Sequence, residues 1–122
     1  MIMAGKMALG KKGEDAALEW FQREGYVLLD RNWRNEHKEI DLIMESEKFV
    51  HIIEVKTLKA PVQRQPYEAV DPRKQRLLAS AAAAYVGLHH IRKEVLFDVM
   101  SVIYDGDEPQ FEYLPQAFIP IY

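Results

Sequence analysis

The chain has no cysteine in its 122 residues. That excludes disulfides, thiolate metal sites and a cysteine nucleophile, and it fits a reducing compartment, with the cytoplasm as the expected location. There is no apolar run long enough to cross a membrane; residues 79–88 are too few and mostly alanine, so no membrane is expected among the partners. Residues 1–12 are small and basic but lack the apolar stretch of a signal peptide. Internal repeats and low-complexity linkers are missing. So is an excess of positive charge. The formal net charge is −3, whereas proteins that coat nucleic acid non-specifically are usually basic.

What remains is the mix of a soluble globular protein, 48% apolar and 29% charged. The length suffices for one domain with a real core, so residues 1–122 read as a single domain with 115–122 as an apolar tail. The tail can pack on the domain or on a second copy, which makes a homodimer an expected partner arrangement.

Residues 8–24 predict a helix, with Leu9, Ala16, Ala17, Trp20 and Phe21 on one stripe and Gly25 as the stop. Glu14 falls on the border of that stripe, where it can reach past the helix toward the packed sheet; the plainer reading is a first-turn carboxylate favoured by the helix dipole. A strand begins at Tyr26, and the polar stretch Asp30–Lys38, which holds Trp33, reads as its irregular continuation or as a turn. Residues 57–67 read as a long loop. Asp71-Pro72 is a helix start, a side-chain cap followed by proline at the first helical position. That helix is expected to end near Val86 with Gly87 as its stop. Val95–Ile103 reads as a strand buried on both faces, and Asp105–Glu108 as a hairpin turn. Gln110–Leu114 returns as a short edge strand.

Two stretches carry the charges that folding alone would avoid. In Glu39–Met44, Glu39 and Asp41 share a face; in Phe49–Lys56, Glu54 and Lys56 do. Burying unpaired charge is costly, so their presence on apolar strands asks for a reason. A four-residue loop at 45–48 sets Glu39 opposite Glu54. A two-residue loop at 47–48 sets Asp41 opposite Glu54 and Glu39 opposite Lys56. A loop of three or five residues separates the pairs onto opposite faces. With the faces joined, Asp41, Glu54 and the Val55 carbonyl form an oxygen-rich site for Mg²⁺ or Mn²⁺. Lys56 stands beside it to orient water or stabilise charge on a phosphate. Glu39 is a second ligand, a base or the ion-pair partner of Lys56. The competing reading is a half-exposed sheet face with cross-strand ion pairs.

Basic residues cluster next to this site. Lys56, Lys59, Arg64, Arg73, Lys74 and Arg76 face only Glu68 and Asp71 within residues 56–76, a local charge of +4 in a chain of −3. Lys59, Arg64, Arg73, Lys74 and Arg76 are the candidate nucleic-acid contacts, and a solvated loop and helix face is the alternative. His51 has the parity of Phe49 and Ile53, away from Glu54, and reads as packing or surface. His37 and the His89-His90 pair are given no ligand role.

Ile40-Asp41 followed by Glu54-Val55-Lys56 resembles the core of the PD-(D/E)xK nuclease superfamily. Gly13-Glu14, Gly25-Tyr26, Asn32-x-Arg34, Glu68-Ala69-Val70 with Lys74, and Phe97-Asp98-Val99 extend the likeness over nearly the whole chain. Together they resemble the YraN-like family of small predicted endonucleases, related in fold to archaeal Holliday-junction resolvases. Lys38 stands where that family usually has glycine, and Ile40 where the superfamily has proline. The resemblance implies an α/β fold with a restriction-endonuclease-like αβββαβ core, a mixed sheet with helices packed on it. It also implies Glu14, Asp41 and Glu54 as metal ligands, Lys56 completing the signature, and DNA, including branched DNA, as substrate. A catalytically silent nucleic-acid-binding or protein-interaction module is the alternative.

Overall fold

The structure, a computed structural model, describes residues 2–36, 38–62 and 70–119. Arg64, Glu68, Ala69, His37 and residues 120–122, all named above, lie outside the described residues. The order is α1 (Ile2–Arg23), β1 (Val27–Arg34), β2 (Glu39–Glu45), β3 (Phe49–Lys59), α2 (Pro72–His89), β4 (Glu94–Asp105) and β5 (Glu108–Phe118). This is a mixed α/β fold. The five strands form one sheet in the order β1-β2-β3-β4-β5. All neighbouring pairs are antiparallel except β3 and β4, whose parallel pairing requires a crossover; α2 lies within that connection.

The sheet is covered on both faces. On one, Ile43, Val50, Ile52, Phe97 and Val99 pack with Leu78, Ala81, Ala82 and Tyr85 of α2. On the other, Leu42, Met44, Ile53, Met100 and Val102 pack with Ala17 and Phe21 of α1. Strand β4 is therefore buried on both sides, with Phe97 through Tyr104 all inside, as its run, apolar in both parities except at Asp98 and Ser101, predicts. The alanines of α2 let its backbone lie close to the sheet.

Helix α1 ends as its sequence dictates. Gly25 adopts φ +95°, the left-handed region that costs glycine little. The Tyr26 N–H then reaches Phe21 O at 3.0 Å and the Gly25 N–H reaches Gln22 O at 3.1 Å, which satisfies two orphan carbonyls. Helix α2 starts at the predicted cap, where the Asp71 side chain accepts from the Lys74 N–H at 2.9 Å. Its end differs from expectation. Gly87 lies inside the helix, and the left-handed cap falls at His90, φ +53°. His89 supports the extra turn by stacking on Tyr85, with ring centroids 4.0 Å apart.

Two further expectations are corrected. Strand β3 runs on to Lys59, so the predicted loop begins later. Strand β5 is longer than Gln110–Leu114 and carries both Pro109 and Pro115, which an edge strand tolerates because its outer N–H groups face no ladder. A register break sits opposite Asp98, between the Phe97↔Phe118 and Val99↔Leu114 pairs. The apolar tail accordingly splits: Phe118 packs on Phe97 at 5.3 Å, while Ile119 is exposed.

Asp98 holds that break together. It is 1% exposed and accepts from the Gln116 N–H at 2.8 Å, the Tyr113 O–H at 2.5 Å and His51 Nδ1 at 2.7 Å. An acceptor-only carboxylate requires that Nδ1 carry a proton, and Nε2 pairs with Ser46 Oγ at 2.8 Å. His51 is thus buried packing, as its parity predicts, and it ties the β2–β3 turn to β4 and β5. Burial, reinforced by the bond to Asp98, raises the Tyr113 hydroxyl well above its ordinary pKa.

Replacing Asp98 with alanine strands three buried donors, and urea denaturation should show a loss of about 3–5 kcal/mol; a loss under 1 kcal/mol would contradict this role. The helix glycines should behave oppositely. A Cβ on Gly13 collides with the Thr57 side chain, whereas one on Gly87 meets nothing. Gly13→Ala should destabilise by about 1–3 kcal/mol and Gly87→Ala stabilise by roughly 0.5–1 kcal/mol. Thermal unfolding of the two variants checks the difference in sign.

Candidate active site

The hairpin register decides whether the charged residues meet. The ladder pairs Glu45 with Val50, Met44 with His51, Ile43 with Ile52 and Leu42 with Ile53. The Ser46 N–H donates to Phe49 O at 2.9 Å. This is the two-residue alternative, and continuing it by one step sets Asp41 across from Glu54. The Asp41 carboxylate takes the next bond itself, accepting the Val55 N–H at 2.8 Å.

Leu9, Gly10, Glu14, Asp41, Glu54, Val55, Lys56 and Thr57 line one open pocket of about 370 Å³. Glu14 reaches it because Gly13 presses α1 against Thr57 of β3. The border position read from the helical stripe is therefore the one that counts: α1 begins at Ile2 and not at residue 8, so Glu14 lies in mid-helix and the first-turn, helix-dipole reading does not hold.

Glu54 is the most buried acid of the pocket, 4% exposed. Three ammonium groups surround it: Lys74 Nζ at 2.8 Å and Lys56 Nζ at 3.6 Å from Oε2, and Lys38 Nζ at 3.8 Å from Oε1. Oε1 itself has no hydrogen-bond partner. Burial pushes Glu54 up, but the Lys74 hydrogen bond and the charges of Lys38, Lys74 and Lys56 outweigh it and hold the carboxyl below its usual range. Asp41 is the reverse case: burial, then the Glu54 charge, push it up to about 7 despite the Val55 N–H. Lys56 is lowered by burial and by its neighbour Lys74. For Lys74, burial acts downward, but its bond to Glu54 prevails and raises it.

The remaining predicted residues separate. Glu39 pairs with Arg34 at 3.1 Å, while Lys56 turns to Glu54, so the Glu39–Lys56 ion pair is not formed. The Asn32 amide lies between Glu14 and Glu39; turned so that its nitrogen faces the two carboxylates, the orientation in which its hydrogen bonding is satisfied, it donates to Glu14 Oε1 at 2.9 Å and Glu39 Oε1 at 3.2 Å. Arg31 adds an ion pair to Glu14 at 3.7 Å and one to Asp15 at 2.9 Å. Burial, opposed by Arg31 and helped by Glu39, raises Glu14. Of the basic strip, Lys59, Arg73 and Arg76 are exposed. Lys74 is not a free rim charge, because its ammonium is committed to Glu54.

Sequence reasoning missed Lys38 and Asn32 as site residues. Lys38 registered only as a departure from glycine. Asn32 carried a signal in retrospect, since it adopts φ +52°, a region asparagine enters more readily than most residues.

Among the described residues, no three His, Asp or Glu side chains converge closely enough to grip an ion as they stand. The donor chemistry nevertheless suits a hard cation: Glu54 Oε1 is buried without a hydrogen bond, and Asp41 lines the same pocket as a second carboxylate oxygen donor.

The raised Asp41 pKa has a stability consequence with a definite sign. The folded state binds this proton more tightly than the unfolded chain does. The penalty is therefore absent below the unfolded value near 4, grows as pH rises, and is complete above about 7. Asp41→Asn should be more stable than the wild type at pH 8, by on the order of a few kcal/mol. The advantage should vanish toward pH 4. Melting curves across that range check it, and a pH-independent difference would contradict the shift.

Comparison with known proteins places the chain in a family. Residues 13–102 match the model of the "Uncharacterised protein family UPF0102". A UPF0102 protein of Bacteroides thetaiotaomicron is 38% identical over 118 residues, covering 97% of this chain and 98% of that protein. One from Flavobacterium psychrophilum is 36% identical, covering 95% and 98%. One from Porphyromonas gingivalis is 35% identical, covering 95% and 87%. The match runs from the glycine that seats α1 through the buried strand β4, and by it the chain belongs to family UPF0102, the YraN-like family that its motif order resembles.

Proposed function

We propose that this protein is a metal-dependent DNA endonuclease of the PD-(D/E)xK type, with α1-β1-β2-β3-α2-β4 as its restriction-endonuclease-like core. The observation that carries the proposal is Glu54, buried on the central strand with one oxygen unbonded and facing Asp41 across a pocket that also holds Lys56. A fold maintained only for stability gains little from such a group, because a buried carboxylate costs several kcal/mol to desolvate.

In this reading Asp41, Glu54 and the Val55 carbonyl hold Mg²⁺ or Mn²⁺, with Glu14 as a further carboxylate. When bound, the ion polarises the scissile phosphate and lowers the pKa of a coordinated water. The protein's own residues do the rest. Lys56 is half-buried, and its lowered pKa makes its proton more easily shared than that of a surface lysine. It orients the attacking water and stabilises charge on the phosphate. Asn32 and Arg31 hold Glu14 in position, and Glu39 acts through Asn32. Lys59, Arg73 and Arg76 present positive charge to the flanking DNA backbone, where each exchange of a counter-ion for a phosphate contact adds affinity. Branched or otherwise structured DNA is the substrate class that the family resemblance implies.

One observation favours a second reading. Three lysines already supply the positive charge that an ion would bring to Glu54. That suits a silent module that keeps the fold and binds nucleic acid or a protein partner without turnover.

Incubation with supercoiled, linear and four-way-junction DNA separates the two. The endonuclease reading predicts cleavage with Mn²⁺, none in EDTA, and a fall of at least about 100-fold in Asp41→Ala, the scale of losing one group that stabilises the transition state. No wild-type cleavage, or equal cleavage by the variant, would overturn it, and metal-independent binding alone would favour the silent module.

A further inference from the structure

Three ammonium groups around one carboxylate are more than neutralisation requires, and they are not equivalent. Lys56 projects from the same strand as Glu54, and Lys38 lies just before β2. Lys74 alone comes from a helix, and it makes the shortest contact, 2.8 Å to Glu54 Oε2. Its backbone is pinned, because its N–H is taken by the Asp71 cap at 2.9 Å. Its side chain is not. The ammonium rides on a flexible four-carbon stem, is 29% exposed, and comes from the same first part of α2 as the exposed Arg73 and Arg76. Lys74 can therefore leave Glu54 by side-chain rotation, with no movement of helix or sheet.

A divalent cation on Glu54 and an ammonium 2.8 Å from the same oxygen repel each other strongly. One must yield. The ammonium is the mobile party, and a phosphodiester oxygen of bound nucleic acid offers it a new counter-charge. We propose that Lys74 is an exchangeable counter-ion. It holds the Glu54 carboxylate while no divalent cation is bound, and moves to a phosphodiester oxygen of the nucleic acid once one is. The protein thereby couples metal loading to substrate contact: each ion that enters frees one positive charge at the pocket rim. This inference rests on the endonuclease reading for its ligands, but its test does not require turnover.

The test uses the full chain and Mn²⁺ alone, with free Mn²⁺ measured by electron paramagnetic resonance. Lys74→Met should tighten Mn²⁺ binding at least about fivefold, because the competing charge is gone. Arg76→Met, the same charge change at an exposed position, should alter it less than twofold, since solvent and salt screen that site. In a second arm, DNA affinity is measured with and without Ca²⁺. The wild type should gain affinity with the ion, and Lys74→Met should lose most of that gain. Unchanged or weaker Mn²⁺ binding in Lys74→Met overturns the exchange, and a retained Ca²⁺-dependent gain overturns the transfer to phosphate. If neither protein binds Mn²⁺, the metal reading fails and the inference falls with it. Should Lys74→Met not fold, Lys74→Gln, which keeps a donor for Glu54, takes its place with the same expectations.

Discussion

The structure depends on keeping one carboxylate charged inside its central sheet. Glu54 sits where an apolar side chain would be easier to accommodate, and several elements contribute to holding it ionised. β3 supplies Lys56, the segment before β2 supplies Lys38, and the first turn of α2 supplies Lys74. Stripping such a group of all its partners would leave an uncompensated buried charge, which is far more damaging than replacing the whole cluster with apolar residues. The placement of α2 is thus tied to the site as well as to the core: the same helix that packs Leu78, Ala81 and Tyr85 on the sheet delivers the shortest contact to Glu54.

Around this carboxylate the chain divides polar tasks between the two ends of the β2–β3 hairpin. At the turn end, Ser46, His51 and Asp98 form a closed network with Tyr113 and the β5 backbone, and every donor has its acceptor. At the other end the ladder stops at Leu42↔Ile53, Asp41 spends one oxygen on a backbone N–H, and a Glu54 oxygen is left without a hydrogen bond. Satisfied networks rigidify, and a buried polar group left unsatisfied is costly and asks for an explanation. The contrast assigns the first a structural role and makes the second the place to look for chemistry.

Much of this was legible in the chain because it is local. Asp71-Pro72 writes a helix start in two residues, Gly25 writes a helix end in one, and the run of β4, apolar in both parities but for Asp98 and Ser101, announces burial on both faces. The hairpin spacing left two registers for Asp41 and Glu54, and both kept the site intact. What was not legible depends on contacts between distant residues. His51 and Asp98 are 47 positions apart, so parity could assign His51 to packing without revealing what it holds. Lys38 looked like a mere departure from glycine until the fold brought it to Glu54. The length of β5 was hidden by its two prolines, which usually end a strand but are tolerated at a sheet edge. Gly87 misled for a related reason: a glycine late in a helix is a stop only if the chain turns there, and His89 on Tyr85 carries it one turn further.

The central claim is that Asp41, Glu54 and the Val55 carbonyl are a divalent-cation site. Crystals grown with Mn²⁺, with data collected at a wavelength where manganese scatters anomalously, test it most directly. The account predicts one strong anomalous peak in the pocket between Asp41 and Glu54, within about 2.0–2.4 Å of carboxylate oxygens from both. A map with no peak there, with Lys74 still bonded to Glu54 at saturating Mn²⁺, would contradict it.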